Sequence, residues 1–337
     1  MAVNYSNASD NSEKELSLQN INSEDDNIHT TWQGSNEEWW DWYVSLADNS
    51  SLPVNKEKLI HFPNIAFKSS LSIEDFKQQL AEPYPLSEQQ IEQFKTESYI
   101  RLKNVLSPEA VYLLRQEAQY LLNRCRQSNP SQQFFNIEMM WLENEVMREF
   151  ALSSRLARIA AELLEVSSVR LYHDNVLCKN PGCGRTPWHY DLHHFPIAST
   201  NICSHWLPLQ AMPWEMGIIE FACGMEVYKI IEQVPCDKSG KTEDFWIARL
   251  LQSNNIKINR DPFELGEISF HHGFNVHGAA ANRTTQPRMA ITKIYFENGD
   301  RLINSSKITS GSWRKFIPNT KPSEMISNPY NFILYSV

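Results

Sequence analysis

The chain lacks any long apolar run. No segment of its 337 residues approaches the length needed to cross a bilayer, and the first thirty are acidic and polar, unlike a secretory signal. A basic balance is missing too: 31 Lys and Arg stand against 40 Asp and Glu, a net charge of −9. That argues against nucleic acid or an anionic membrane as the main partner, since either wants a basic face. It also disfavours a polyphosphorylated substrate such as an acyl-CoA. The six cysteines (Cys125, Cys178, Cys183, Cys203, Cys223, Cys236) form no C-x-x-C pair and none lies beside a His at zinc-finger spacing. Cys178 and Cys183 flank a loop and could meet, but reduced structural thiols are expected. There is no P-loop, no dinucleotide glycine fingerprint and no internal repeat. A reducing, cytoplasmic setting fits this composition, and a monomer or homodimer with a small-molecule partner is expected.

What is present is ample core material, 42% hydrophobic, unevenly spread. Residues 1–34 are rich in Asn, Ser, Asp and Glu and read as a disordered tail, because they bury too little to offset ordering entropy. A single domain is expected over 35–337. Ser35 with Glu38 makes a capping box before a helix dense in aromatics (Trp39, Trp40, Trp42, Tyr43), which reads as an anchor onto the domain. The stretch 35–165 is expected to be mainly helical. Ser87 with Gln90 and Ser107 with Pro108 mark helix starts; Val111, Leu114, Ala118 and Leu121 recur at helical spacing, as do Leu152, Leu156, Ile159, Ala160 and Leu163. From Val169 short β-rich runs take over, such as R-L-Y-H-D-N-V-L, I-C-S-H-W-L-P-L and A-I-T-K-I-Y-F. Short strands after a helical half suggest an α+β fold, a sheet sandwich over 168–300 with the N-terminal helical layer packed on one sheet. Residues 301–337 read as a C-terminal extension. An insertion at 231–260 contains an amphipathic helix, Thr242 to Leu251, open to three readings: a lid, a crossover packed on the barrel, or an oligomer contact.

The most informative stretch is Trp188 to Phe195, W-H-Y-D-L-H-H-F. On a strand, His189 and Asp191 would project from one face. That supplies two thirds of the 2-His-1-carboxylate arrangement that holds Fe(II) on one side and leaves the other open. An H-x-D pair alone is more often a surface hydrogen bond than a metal site. Here, though, six of ten histidines fall in two short runs (His189, His193, His194; His271, His272, His277), and the second run ends on His277 as the candidate third ligand. Eleven residues later Arg288 opens an alternating segment, suited to grip a carboxylate with two parallel hydrogen bonds.

These residues resemble the phytanoyl-CoA dioxygenase family of Fe(II)- and 2-oxoglutarate-dependent oxygenases. The likeness rests on Lys179-Asn180-Pro181-Gly182, Thr186-Pro187-Trp188-His189-Tyr190-Asp191 and Trp206-Leu207-Pro208-Leu209. It continues through Gly266-Glu267, Phe270-His271, His277, Asn282-Arg283-Thr284, Arg288 and Tyr295. It extends back to Leu86 and so covers most of the chain. The resemblance implies a double-stranded β-helix, or jelly-roll, core. It implies Fe(II) on His189, Asp191 and His277, with 2-oxoglutarate on the iron and its far carboxylate on Arg288. With O2, the cosubstrate would leave as succinate and CO2 while an unactivated C–H is oxidised, giving hydroxylation, or dealkylation or C–N cleavage beside a heteroatom. Asp191 is present where halogenating relatives lack a carboxylate. Ala279 stands where the family often has a small hydroxyl residue, so Thr186, Lys179 or Trp206 is expected to carry more of the 2-oxoglutarate binding. Glu215-Met216-Gly217 is followed by Cys223-Gly224-Met225-Glu226 rather than the family's P-G-S-H, so the substrate-side loop is expected to differ.

Candidate substrate contacts are His193, His194 and Phe195, which follow Asp191, together with His173 and the insertion's Trp246. His205 and His271 read as structural neighbours of Trp206 and Phe270. The histidines favour a small polar substrate, carboxylated ones included, such as an amino-acid-derived or other specialised metabolite. The rival is a non-catalytic or 2-oxoglutarate-independent cupin-like metal protein; the intact ligand set and Arg288 argue against it.

Overall fold

The computed structural model describes residues 59–62, 67–232, 241–303 and 313–337, without the side chains of His193 and of residues 241–246. The polar tail and the aromatic helix expected after Ser35 lie outside the described residues. Helices begin where the sequence offers a capping oxygen. The α1 helix (Ile73–Ala81) starts at Ser72, and α2 (Glu88–Glu97) at Ser87, whose hydroxyl and Gln90 side chain form the reciprocal capping box. Pro108 opens α3 (Pro108–Ser128) behind the Ser107 cap. Asn144 caps α4 (Glu145–Ala151) and Ser153 caps α5 (Ser154–Leu164). Leu152 is therefore not on the stripe that the spacing suggested. It follows the end of α4 and is 38% exposed, because the Ser153 cap restarts the helix after it.

Two strands break the expected helical half. The β1 strand (Tyr99–Leu102) and the β2 strand (Phe134–Glu138) lie within 35–165. Both are short segments that local pattern does not distinguish, and each is fixed by pairing with a distant strand. Then follow β3 (Ser168–Lys179), β4 (Thr186–His189), β5 (Ile202–Pro208), β6 (Ile219–Ala222), the short α6 (Tyr228–Ile231) and α7 (Lys241–Ser253). The chain continues through β7 (Ile258–Asn259), β8 (Ile268–His272), β9 (Val276–Ala279), β10 (Arg288–Glu297) and β11 (Ile333–Ser336).

A seven-stranded antiparallel sheet runs β1-β8-β5-β10-β3-β11, with β2 also on β3; a four-stranded sheet runs β4-β9-β6-β7. The two face each other as the double-stranded β-helix core. Strand alternation divides the large sheet. Its outer face, with Met289, Ile291 and Tyr295, joins Val111, Leu114, Phe150, Leu156 and Ile159 of the helical layer in one apolar cluster. Its inner face, with Trp206 and Ala290, packs on Ile219 and Phe221 of the small sheet. The insertion's α7 lays Ile247 and Leu251 against Trp188, Ala222 and Val276, on the outer side of the small sheet. Among the described residues no helix is long and apolar enough to cross a membrane. Five of the six cysteines are described, and all five are free thiols.

Candidate active site

Three side chains converge at the inner face of the small sheet. His189 on β4 and His277 on β9 are register partners, their rings 4.2 Å apart. Asp191 is not on the strand with His189, as the sequence suggested. The β4 strand stops at His189, Tyr190 is extended, and Asp191 opens a 3-10 turn ending at His194. The turn still brings its carboxylate to the same place, and one candidate ligand atom from each of His189, Asp191 and His277 lies within 4.8 Å of the others.

The protonation pattern suits a cation. His189 Nδ1 lies 2.8 Å from the Pro187 carbonyl, and His277 Nδ1 lies 3.0 Å from the Asn275 carbonyl. A carbonyl oxygen only accepts, so each Nδ1 carries the proton and each Nε2 presents its lone pair. Both Nε2 atoms are 3.7 Å from one oxygen of Asp191, Oδ1. The other oxygen, Oδ2, accepts from Ser204 Oγ at 2.7 Å and is 3.6 Å from His271 Nε2. The carboxylate is thus divided, one oxygen toward the imidazole pair and one held back by the large sheet. Burial would push the Asp191 carboxyl up, but the charges of His277, His271 and His189 outweigh it and hold it well below the usual carboxylate range. Burial holds His277 down to about 4, so it is a neutral donor at pH 7.

Ser204 and His271 were missed as site residues. Alternation gives the signal: Phe270 and His272 share the outer face, which turns His271 inward opposite Ser204. His205, by contrast, points outward, its Nδ1 2.9 Å from the Tyr295 hydroxyl.

Farther along the inner face of the large sheet lie Arg288 and Lys179. Arg288, 2% exposed, donates from Nε to the Gly217 carbonyl at 3.1 Å and lies over the Trp206 ring, while its Nη1 has no partner. Gly217 is required here: at φ +77° an added Cβ would meet the Ala280 carbonyl at 2.4 Å. Lys179 is the cross-strand partner of Arg288 and is fully buried, not on the surface; its ammonium donates to the Ala280 carbonyl at 3.0 Å and the Ala279 carbonyl at 3.4 Å. Burial, with Arg288 beside it, lowers Lys179 well below the ordinary lysine range. Thr186 pairs with Ala279 at the same end. Among the described residues neither cation has a carboxylate within 4 Å. Buried charge without a counter-charge is costly, so the buried Arg288 guanidinium with its orphaned N–H describes a position fitted to an anionic group.

The other candidates scatter. His173 is on the inner face of β3, stacked on Phe316 at 4.0 Å. His194 is buried with its ring 6.3 Å from His189, and Phe195 packs on Tyr172. The His193 and Trp246 side chains lie outside the described residues.

The phytanoyl-CoA dioxygenase (PhyH) family model matches residues 94–290, more than half of the chain. The chain belongs to this family. Among solved structures it is similar to the non-haem α-ketoglutarate-dependent carbocyclase SnoK from nogalamycin biosynthesis. That match has TM-score 0.61 and 19% identity, over 75% of this chain and 99% of that one. It is also similar to the epimerase SnoN in complex with Fe3+, α-ketoglutarate and nogalamycin RO (TM-score 0.56, 20% identity, 73% and 98% covered). A third is EctD from S. alaskensis with 2-oxoglutarate and 5-hydroxyectoine (TM-score 0.57, 18% identity, 77% and 90% covered). No curated protein matches. Family membership makes the protein a non-haem iron oxygenase that uses Fe(II), 2-oxoglutarate and O2. The cupin-like rival without 2-oxoglutarate is set aside by that finding.

Proposed function

We propose that His189, Asp191 and His277 hold the iron, that Arg288 anchors 2-oxoglutarate, and that the enzyme oxidises an unactivated C–H of a small polar metabolite. The observation that carries this reading is the divided carboxylate of Asp191, with both imidazole Nε2 atoms facing Oδ1 while Ser204 holds Oδ2. A carboxylate tethered in this way offers a metal one oxygen and leaves neighbouring positions open. When bound, the iron with 2-oxoglutarate and O2 supplies the oxidising power, and succinate and CO2 leave.

The protein's own contribution is binding, orientation and exclusion of water. Arg288 would receive the far carboxylate on its unpartnered Nη1. Burial lowers its guanidinium only to about 10, so it stays charged at neutral pH. Trp206 covers that guanidinium, Ala279 pairs with Thr186 at the same end, and Lys179 lies across the strands from Arg288 with its amine on the Ala279 and Ala280 carbonyls. The free thiols support a reducing, cytoplasmic setting, and the fold shared with SnoK supports a specialised metabolite as substrate. The test is succinate formation by the iron-loaded protein given 2-oxoglutarate and ascorbate. Absence of succinate from a folded, iron-loaded protein would sink the reading.

A further inference from the structure

This inference rests on the reading just given and concerns what the iron site works on. A ladder of polar side chains crosses the inner face of the large sheet. Thr292 on β10 donates its hydroxyl to Asn175 Oδ1 on β3. Asn175 Nδ2 donates to Asn136 Oδ1 on β2 at 2.7 Å, and Asn136 Nδ2 donates to Glu138 Oε1 at 3.2 Å. The second oxygen of Glu138 pairs with Lys315 Nζ, from the C-terminal segment. Thr292 faces Asn175 directly across the strands, as Arg288 faces Lys179, so the ladder shares the face of the anion pocket.

Three features mark this as a binding wall. First, Thr292 is the one residue from Arg288 to Phe296 that is not fully buried, and Asn136 and Glu138 are also half-buried at the sheet's edge. Solvent reaches the ladder at Thr292, Asn136 and Glu138, while Asn175 between them is buried. Second, it lies at the reach of a small molecule from the iron ligands. Ile294 is the cross-strand partner of Ser204, the residue that holds Asp191. Thr292 is one same-face step along, about 8 Å from Ser204 on ordinary strand spacings. Third, the direction of the ladder is forced. A carboxylate only accepts, so Asn136 must turn its amide nitrogen to Glu138 and its oxygen to Asn175. Asn175 must then turn its oxygen to Thr292, whose single proton is committed to it. The amide orientations, ambiguous in isolation, are therefore fixed by Glu138.

This determines what the wall can still offer. Thr292 Oγ1 has lone pairs only, while Asn175 and Asn136 each keep a second N–H. No net charge is added, because Glu138 is matched by Lys315, and His173 beside the ladder is neutral, held down to about 4 by burial. A substrate carboxylate would meet Glu138 with no cation left for it on the ladder.

We propose that the Thr292–Asn175–Asn136 ladder is the substrate-recognition wall of this oxygenase and selects an uncharged, hydroxylated small molecule, such as a polyol or sugar. The substrate gives an O–H to Thr292 Oγ1 and accepts N–H from the two asparagines on a neighbouring hydroxyl, ether or carbonyl oxygen. A carboxylated metabolite or an acyl-CoA does not fit this wall.

The test uses the full chain loaded with Fe(II) and 2-oxoglutarate, as wild type, Thr292→Val and Thr292→Ser. The probes are myo-inositol, methyl glucoside and an aryl glucoside, set against glucuronate, arginine and hexanoyl-CoA. Two readouts are taken: the ratio of succinate formed with and without probe, and the anaerobic shift in melting temperature caused by each probe. A neutral probe is expected to raise both in wild type and in Thr292→Ser. Thr292→Val is expected to need about tenfold more of it, the loss of one hydrogen bond to a satisfied hydroxyl. The proposal is overturned if no neutral probe acts, if a charged probe acts more strongly, or if Thr292→Val responds like wild type. The melting shift requires no turnover. A neutral-probe shift lost in Thr292→Val, with no succinate from any variant, would keep the wall and sink the oxygenase assignment instead.

Discussion

The β10 strand carries two buried cations five residues apart, on opposite faces of the same sheet. Lys293 points outward into the helical layer, where its ammonium donates to the Phe150 and Ala151 carbonyls at the end of α4, with Asp174 directly across the strands. Arg288 points inward, has one carbonyl partner, and has a lysine across from it in place of an acid. Both are pushed down by burial, Arg288 to about 10 and Lys293 to about 7. What separates them is who supplies the partners. The outer cation is satisfied by the fold and belongs to stability; the inner one is short of a partner that a ligand can provide. The same division runs through the histidines, with His205 held outward by Tyr295 and His271 turned inward toward Asp191.

The comparison breaks if inner-face changes unfold the protein or outer-face changes spare it. The largest effect is expected from His277→Ala, which should take succinate formation to background and lower iron content while the melting temperature barely moves. Near-native turnover would remove His277 from the ligand set, and His271 would be the next imidazole within reach of Asp191. On the outer face Lys293→Met should cost about 1–3 kcal/mol in urea unfolding, because it strips the Phe150 and Ala151 carbonyls of their donor and removes the positive charge that faces Asp174. The double variant Lys293→Met/Asp174→Leu should recover the Asp174 share of that loss. A double variant no better than the single would show that the two do not act as a pair.

Smaller effects sharpen the inner face. Arg288→Gln should raise the 2-oxoglutarate KM by about ten- to hundredfold, the loss of a charge-assisted hydrogen bond. Stability should stay close to wild type, and an unchanged KM would sink the anchoring role. Ser204→Ala frees Asp191 Oδ2 and should weaken iron binding by about tenfold, the usual scale for a group that orients a ligand. Iron titration followed by activity decides it, and equal affinity would make the Ser204 contact incidental.

The convergence of His189, Asp191 and His277 and the inward Arg288 were legible because each is carried by local sequence: H-x-D, a histidine run ending on His277, an arginine opening an alternating run; the β-helix core came with the family resemblance. The edge strands β1 and β2 were not, since Y-I-R-L and F-F-N-I-E become strands only by pairing with β8 and β3. His271 and Ser204 were hidden for a related reason. Which face a residue takes depends on register, and register is set by a partner strand far along the chain. The polar ladder was illegible for the same cause, as its four members come from three strands. Lys179 was seen as a site residue, but its full burial follows from where β9 ends.

The smallest expected effect tests whether the inner face also carries part of the protein's acid sensitivity. Burial holds His173 on the inner face down to about 4, and His272 on the outer face likewise. The Phe274 amide donates to His272 Nδ1 at 3.1 Å, which requires a lone pair there and agrees with a neutral ring. An unfolded histidine takes up a proton near pH 6.5, so below that value the unfolded chain binds protons that these folded rings refuse. Stability therefore falls as pH drops from about 6.5 to about 4, by up to about 1.4 kcal/mol per pH unit for each ring. Above pH 6.5 neither ring contributes. His173→Phe keeps an aromatic ring against Phe316 and removes the His173 share alone. Its stability relative to wild type should be about 1–2 kcal/mol more favourable at pH 5 than at pH 7.5. Urea unfolding at the two pH values measures this. An equal difference at both would mean that His173 titrates in the folded protein as it does in the unfolded chain, and that the acid response belongs to the other buried histidines, such as His272 and His277.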